Sequence, residues 1–186
     1  MRSGSFAFAA LLSFCGVSFA RESGQSAKST LVVYFSRTGN TRALAEQIHS
    51  LIGGDIFEIT TVKKYPEAYR PTTEVARVEL DNDERPELAA FVENMEQYDA
   101  IFIGYPNWWG TMPMAFFTFL EHYDLSGKTL IPFCTHGGGG LGGSEADIRR
   151  ICPKSTVLGG LSIGGSRARN SQREVTAWLG QIGFNR

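Results

Sequence analysis

A short polar segment contains three hydroxyl groups, an amide and a glycine, which together could bind an anion. It consists of Ser36, Arg37, Thr38, Gly39, Asn40 and Thr41. An apolar run at residues 31–35 precedes it, and apolar residues at helical spacing follow over residues 42–52. Because the amides of a helix N-terminus carry partial positive charge, this placement favours a phosphate ligand. The alternative is that the Ser, Thr and Asn side chains only cap the helix.

Two adjacent tryptophans lie in a second loop, after an apolar run at residues 100–104. The loop consists of Tyr105, Pro106, Asn107, Trp108, Trp109, Gly110 and Thr111. An indole ring stacks well on a flat ligand ring, and such stacking contributes about 1 kcal/mol beyond the burial of area. We expect one of the two tryptophans to pack beneath the loop, and the sequence leaves open which one would contact a ligand.

A third loop, after an apolar run at residues 129–134, is dominated by glycine. It consists of Thr135, His136, Gly137, Gly138, Gly139, Gly140, Leu141, Gly142 and Gly143. Without side chains, the backbone amides of such a loop can approach the edge of a flat ligand closely. A flexible linker is disfavoured because the loop joins an apolar strand to a helix that starts at Ser144. His136 is either a hydrogen-bonding strut or a group that tunes a bound ring.

These loops belong to a regular alternation of strands and helices. Apolar runs indicate strands at residues 31–35, 55–60, 100–104, 129–134 and 156–162, and periodicity indicates helices at 42–52, 72–80, 113–123, 144–152 and 171–182. Residues 86–95 could be helical or extended. Continuous apolar runs are typical of parallel strands that are covered on both faces. The pattern predicts a three-layer α/β/α sandwich with a five-stranded parallel sheet, in which ligands bind at the carboxyl ends of the strands.

The first loop resembles the phosphate-binding loop of flavodoxins, Ser/Thr-x-Thr-Gly-x-Thr, which holds the 5′-phosphate of FMN. The Pro-x-Trp-Trp-Gly and Thr-His-Gly-Gly-Gly segments also resemble flavin-binding loops of that family, and the resemblance covers residues 30–186. It implies the strand order 2-1-3-4-5, FMN as cofactor, and electron transfer to a redox partner. It also implies that the cofactor is bound by residues 36–41, 106–110 and 135–139 and that no side chain is catalytic. Many flavodoxins cover the second flavin face with a Tyr of the third loop, where this chain has only Gly and Leu141.

Two other functions fit the same residues. One is an FMN-dependent NAD(P)H:quinone oxidoreductase, which an open flavin face would permit. The other is a non-redox protein that binds a different phosphorylated ligand. The absence of G-x-S-x-G disfavours a serine hydrolase, and the three widely separated histidines suggest no metal site. The second and third loops, which would surround the flavin ring, contain no Asp or Glu. We therefore expect bound FMN to have a reduction potential less negative than that of acidic flavodoxins.

The first twenty residues have the pattern of a secretory signal. Arg2 is their only charge, an apolar stretch follows, and the small residues Ser18 and Ala20 precede the expected cleavage point. The stretch is shorter than the roughly 20 apolar residues of a transmembrane helix. We expect cleavage after Ala20, a linker at residues 21–29, a folded domain at 30–186, and a periplasmic or secreted protein. The protein would be cytoplasmic if the start of the chain is mis-assigned.

Composition narrows the remaining possibilities. The chain has 186 residues, is 42% hydrophobic and carries a formal net charge of −1, which fits one globular domain. No basic run or stripe is present, so nucleic acid is not expected as a partner. Cleavage after Ala20 would leave Cys134 and Cys152, which either form a disulfide or remain buried thiols.

Overall fold

The computed structural model describes Met1 and residues 29–184. The strands are β1 (Thr30–Tyr34), β2 (Asp55–Glu58), β3 (Ala100–Pro106), β4 (Thr129–His136), β5 (Thr156–Val157) and β6 (Leu161–Gly164). The helices are α1 (Asn40–Ile52), α2 (Tyr69–Asp81), α3 (Met114–His122), α4 (Ser144–Ile151) and α5 (Gln172–Gln181), with 3₁₀ helices at Met95–Gln97 and Gly165–Asn170. Apart from Met1 and Ser29, the expected signal segment and linker lie outside the described residues.

The strands form one parallel sheet in the order β2-β1-β3-β4-β5, and β6 also pairs with β4. The predicted α/β fold and its strand order are therefore confirmed. The strand expected at residues 156–162 is interrupted, because three residues lie between β5 and β6 where β4 has two. Opposite this break, Pro132 of β4 has no N–H to donate to the neighbouring strand, and the Gly160 amide donates to a side chain of α4, Glu145 Oε1, at 2.7 Å.

Alternate residues of the central strands point to opposite faces of the sheet and fill two separate cores. Val32 faces the core beneath α1 and α5, whereas Val33 faces the core beneath α3 and α4. Both side chains are fully buried. Since both faces of the sheet are covered, the central strands are apolar throughout. Because β1, β3 and β4 are parallel, the three loops that follow them emerge at the same edge of the sheet.

The polar stretch between β2 and β3 contains one α-helix and one extended segment. α2 begins at Tyr69, three residues before the helix expected at residues 72–80. Residues 86–90 contain no helix and run antiparallel to the chain near Thr61, which forms a bridge with Leu88. The uncertainty over residues 86–95 is thus resolved towards extended chain for its first half.

The two described cysteines are free and buried. Burial raises the pKa of the Cys134 thiol to about 12 and that of Cys152 to about 11. Of the two alternatives, buried thiols are therefore the correct one. Among the described residues, none of the helices has the length and apolar character needed to cross a membrane.

Candidate functional site

The first loop joins β1 to α1 in a conformation that leaves hydrogen-bond donors available. Gly39 precedes the helix with a φ of 82°, which glycine adopts without steric cost, and no side chain caps the helix. The alternative that these side chains only cap the helix is therefore wrong. The first intrahelical bond runs from Ala43 N–H to Gly39 O at 3.0 Å, so the preceding amides lack an intrahelical acceptor. The Ser36 hydroxyl is buried and has no partner among the described residues.

Thr41 links the first loop to the end of β4. Its Oγ1 lies 2.9 Å from Oγ1 of Thr135, and both residues are buried. A single bond between two hydroxyls leaves each with capacity for another, so both could also contact a ligand. Arg37 turns away towards the chain that precedes α2, and its Nη1 donates to the Glu67 carbonyl oxygen at 2.6 Å.

The second loop is a tight turn with its two tryptophans in different environments. Trp108 and Thr111 exchange backbone hydrogen bonds of 2.8 and 3.2 Å across the turn. Trp109 and Gly110, between them, have φ values of 54° and 87°. A left-handed conformation is rare for a residue as large as tryptophan, and such backbone strain concentrates at functional sites.

Trp108 packs inward, as expected for one of the two tryptophans. Its ring makes edge-to-face contacts with Phe35 and Tyr65, at centroid distances of 5.4 and 5.1 Å. Trp109 is 53% exposed. Its Nε1 donates to the Thr73 carbonyl oxygen of α2 at 2.9 Å, and the Arg77 guanidinium lies 5.2 Å from the centre of its ring. Trp109 therefore connects the second loop to α2.

The second and third loops are held together by backbone and amide contacts. Asn107 Nδ2 donates to Gly140 O at 2.6 Å, while its Oδ1 accepts from the Gly110 amide at 3.0 Å. The Gly143 amide donates to Gly110 O at 2.7 Å. A Cβ on Gly142 would collide with that same carbonyl oxygen. Part of the glycine-rich loop is therefore needed for packing between the loops. Within this loop, only Gly137 and Gly138 both have open space around an added Cβ and line the cavity described below.

A buried chain of hydroxyls supports the third loop from below. The Ser144 hydroxyl donates to Leu141 O at 2.6 Å, so the Tyr105 hydroxyl, 2.6 Å from Ser144 Oγ, is the donor in that second bond. Burial raises the pKa of Tyr105, which keeps this donor protonated. The Cys134 thiol adds a contact of 3.2 Å to Gly140 O.

His136 acts as a strut within the third loop. The Gly138 amide donates to its Nδ1 at 2.9 Å, so Nδ1 is an acceptor and the proton of the neutral ring is on Nε2. His136 also lines the cavity between the loops. The first of the two roles expected for this residue is therefore present, and its Nε2–H remains able to donate to a ligand.

The three loops surround a cavity of about 910 Å³, at the upper end of the range typical of small-molecule sites. Most of the predicted cofactor-binding residues line it: Arg37, Thr38, Asn40, Thr41, Pro106, Asn107, Trp108, Trp109, Thr135, His136, Gly137 and Gly138. The other predicted residues lie in the same loops without lining the cavity: Ser36, Gly39, Gly110 and Gly139.

Two walls of the cavity were missed by the sequence analysis. One is α2, which contributes Tyr69, Thr72, Thr73 and Ala76. The other is the chain at the end of β6, which contributes Gly164, Gly165 and Ser166. In the sequence, the second wall was marked by the pair Gly164-Gly165. The structure explains this pair in part, because a Cβ on Gly165 would lie only 3.0 Å from Asn40 Nδ2 of the first loop. No comparable signal marked α2, whose contribution depends on tertiary packing.

The cavity has little charge of its own. Among the described residues that line it there is no Asp or Glu, and Arg37 and His136 are the basic ones. Hydroxyl, amide and aromatic groups make up much of the remaining lining. Such a lining suits a ligand that has a flat ring at one end and an anionic group at the other.

Comparison with known proteins places this geometry in a family. The model of the family described as Flavodoxin matches residues 29–182. A solved structure of a proposed flavoprotein from Bacteroides eggerthii DSM 20697 is similar, with 33% identity and a TM-score of 0.72, over 84% of this chain and 98% of that one. A second, from Bacteroides uniformis ATCC 8492, has 31% identity and a TM-score of 0.72, over 82% of this chain and 98% of that one.

A more distant match shares the fold. It is a flavoprotein from Lactobacillus acidophilus NCFM, solved in complex with FMN, with 24% identity and a TM-score of 0.63 over 76% of this chain and 96% of that one. Among curated proteins, none matches the chain.

Proposed function

The chain belongs to the flavodoxin family, and we propose that it binds FMN in the cavity between the three loops and transfers electrons to a redox partner. The observation that carries this proposal is the pairing, in one cavity, of a donor-rich turn at α1 with two tryptophans beside a glycine-rich loop. FMN has a phosphate at one end and a flat ring at the other, which matches the two ends of the cavity.

The turn before α1 fits the phosphate. Ser36 Oγ is buried without a partner, and a buried polar atom without a partner is costly unless a ligand satisfies it. The amides at the start of α1 and the hydroxyls of Thr38 and Thr41 would add further donors. The helix dipole favours a dianion at this position.

The second and third loops fit the isoalloxazine ring. Trp108 and Trp109 both line the cavity and offer aromatic surface, while Gly137 and Gly138 offer backbone without side chains. The Nε2–H of His136 is a further donor for the ring edge. When bound, FMN supplies the electron-transfer chemistry, and the residues of this chain bind it, orient it and set its electrostatic environment.

The FMN proposal can be tested with a single hydroxyl. Ser36→Ala should weaken FMN binding severalfold but leave riboflavin binding and the free energy of unfolding nearly unchanged, because this hydroxyl has no protein partner to lose. Flavin fluorescence and absorbance titrations of the flavin-free protein would measure both affinities. Ser50→Ala, at an exposed position near the C-terminal end of α1, is the control. If the purified protein binds no FMN, a non-redox phosphorylated ligand becomes the better proposal.

An FMN-dependent NAD(P)H:quinone oxidoreductase remains a second candidate. It is favoured by the bare Gly137–Gly138 segment, where nothing lies within 4 Å of an added Cβ, so a second ring could approach the flavin. We expect the reduced protein to pass electrons to a one-electron acceptor such as cytochrome c without steady consumption of NADPH. Sustained NADPH oxidation with a quinone acceptor would instead identify a reductase.

We also propose that residues 1–20 direct export and are removed after Ala20, on the basis of the sequence pattern alone. FMN would then bind after the chain has crossed the membrane. The mass of the protein recovered from its native host tests this point, since cleavage predicts a mature chain that starts at Arg21.

A further inference from the structure

We propose that Arg169 makes the site selective for the phosphorylated flavin by supplying positive charge beside the first loop, an inference that rests on the FMN site proposed above. Arg169 lies far from that loop in sequence, in the 3₁₀ helix Gly165–Asn170 after β6. Its Nη2 is 3.6 Å from the point where a Cβ on Gly39 would lie. The guanidinium is therefore within contact distance of the residue that immediately precedes α1.

The position of Arg169 is fixed by its neighbours. Ala168 is completely buried, and its carbonyl oxygen accepts hydrogen bonds from Gln47 Nε2 at 2.7 Å and from Ser171 Oγ at 3.0 Å. Gln47 belongs to α1, so the 3₁₀ helix is anchored to the same helix whose N-terminus faces the cavity. Arg167 and Arg169, which flank Ala168, are exposed, and the anchoring of Ala168 fixes the backbone from which they project.

Arg169 has no partner of its own among the described residues, neither a hydrogen bond nor an ion pair. Two other arginines near the cavity are already engaged. Arg37 donates to Glu67 O, and Arg167 lies 3.4 Å from Glu174 Oε1. Arg37 is the basic residue of the first loop itself, but the structure leaves Arg169, and not Arg37, free for an anion.

A cation beside the N-terminus of a helix is electrostatically unfavourable, because the amides there already carry partial positive charge. An anion placed between them reverses this effect, since it is attracted by both. A guanidinium also matches phosphate geometry through paired N–H donors. Riboflavin has the same ring but no phosphate, so Arg169 should affect FMN and not riboflavin.

The experiment measures dissociation constants of FMN and riboflavin for the flavin-free protein by fluorescence quenching. Arg169→Gln should raise the FMN constant about tenfold and leave the riboflavin constant unchanged. Arg169→Lys should retain part of the affinity. Arg173→Gln is the matched control, because it removes the same charge from an exposed position of α5 that, unlike Arg169, has no described contact with Gly39. The salt dependence of FMN binding should also be weaker in Arg169→Gln than in the wild type.

The outcomes separate the two proposals. If the wild type binds FMN and Arg169→Gln binds it equally well, the role of Arg169 is excluded while the FMN site stands. If Arg169→Gln weakens FMN and riboflavin alike, the residue acts on the structure of the site, and selectivity for phosphate is again excluded. If the wild type binds no FMN, the proposed function fails and the role of Arg169 fails with it.

Discussion

The two ends of the cavity are built in different ways. At the end proposed for the phosphate, the five residues 35–39 between β1 and α1 form a turn through Gly39, and the first amides of α1 point outward because of helix geometry. At the end proposed for the flavin ring, contacts between residues far apart in the chain hold the loops in place. Asn107 reaches Gly140, Gly142 packs on Gly110, and Trp109 bonds to Thr73.

Because of this difference, substitutions at the two ends should affect ligand affinity and protein stability to different extents. The phosphate end depends on local backbone conformation and leaves the Ser36 hydroxyl unused, so side-chain changes there should alter affinity more than stability. The ring end is part of the tertiary structure, so changes there should alter stability as well as affinity.

Gly142→Val should have the largest effect. Gly142 has a φ of 57°, and any Cβ would collide with the Gly110 carbonyl oxygen. Both the strained conformation and the collision oppose folding, and we expect a loss of about 3 kcal/mol in the free energy of unfolding. Chemical denaturation followed by tryptophan fluorescence would measure it. Gly137→Ala, where nothing lies within 4 Å of the added Cβ, should change stability little. Equal losses in the two variants would mean that the loops are not locked together at Gly110.

The paired tryptophans provide the next largest contrast. Trp108→Ala removes a ring that packs on Phe35 and Tyr65 and should destabilise the protein by about 2–3 kcal/mol. Trp109→Ala removes an exposed ring and should cost about 1 kcal/mol or less in stability.

Both variants should bind FMN and riboflavin more weakly and by similar factors, since the proposed site places both tryptophans against the ring and neither against the phosphate. Thermal unfolding and flavin titration of the two variants side by side would check this. A larger stability loss for Trp109→Ala than for Trp108→Ala would contradict the assignment of Trp108 to the core.

Thr41→Val tests the point where the two ends meet. The substitution removes one of the two buried hydroxyls and leaves Thr135 without its partner, so we expect a loss of about 1–2 kcal/mol in stability. The double variant Thr41→Val with Thr135→Val removes both polar groups and should cost less than the sum of the single changes. A thermodynamic cycle built from unfolding free energies measures the difference, and strict additivity would show that the two hydroxyls do not interact.

The same contrast explains how much of the molecule could be predicted from its sequence. Apolar runs and helical periodicity were sufficient for the sheet, its layers and the loops at its carboxyl edge, because these depend on local patterns of burial. The turn before α1 was predictable for the same reason, since Gly39 and its polar neighbours are adjacent in the chain.

Contacts across the tertiary structure were not predictable. Nothing in the residues of α2 indicates that Thr73 accepts a hydrogen bond from Trp109. The interruption between β5 and β6 lies opposite Pro132, which belongs to the neighbouring strand. Likewise, the proximity of Arg169 to Gly39 results from the return of the chain after β6. In each case the decisive partner is distant in sequence.

The smallest predicted effect concerns the reduction potential of bound FMN, to which only the ring end should be sensitive. The cavity lining contains no acidic residue among the described positions, so a reduced, negatively charged flavin meets little repulsion there. His136→Glu would place a carboxylate at the ring end and should lower the potential by on the order of tens of millivolts, since a nearby like charge disfavours added negative charge. His122→Glu makes the same change at the exposed end of α3 and should leave the potential unchanged. Potentiometric titration of both variants decides the matter. Equal shifts would mean that the potential responds to net charge alone and not to the environment of the ring.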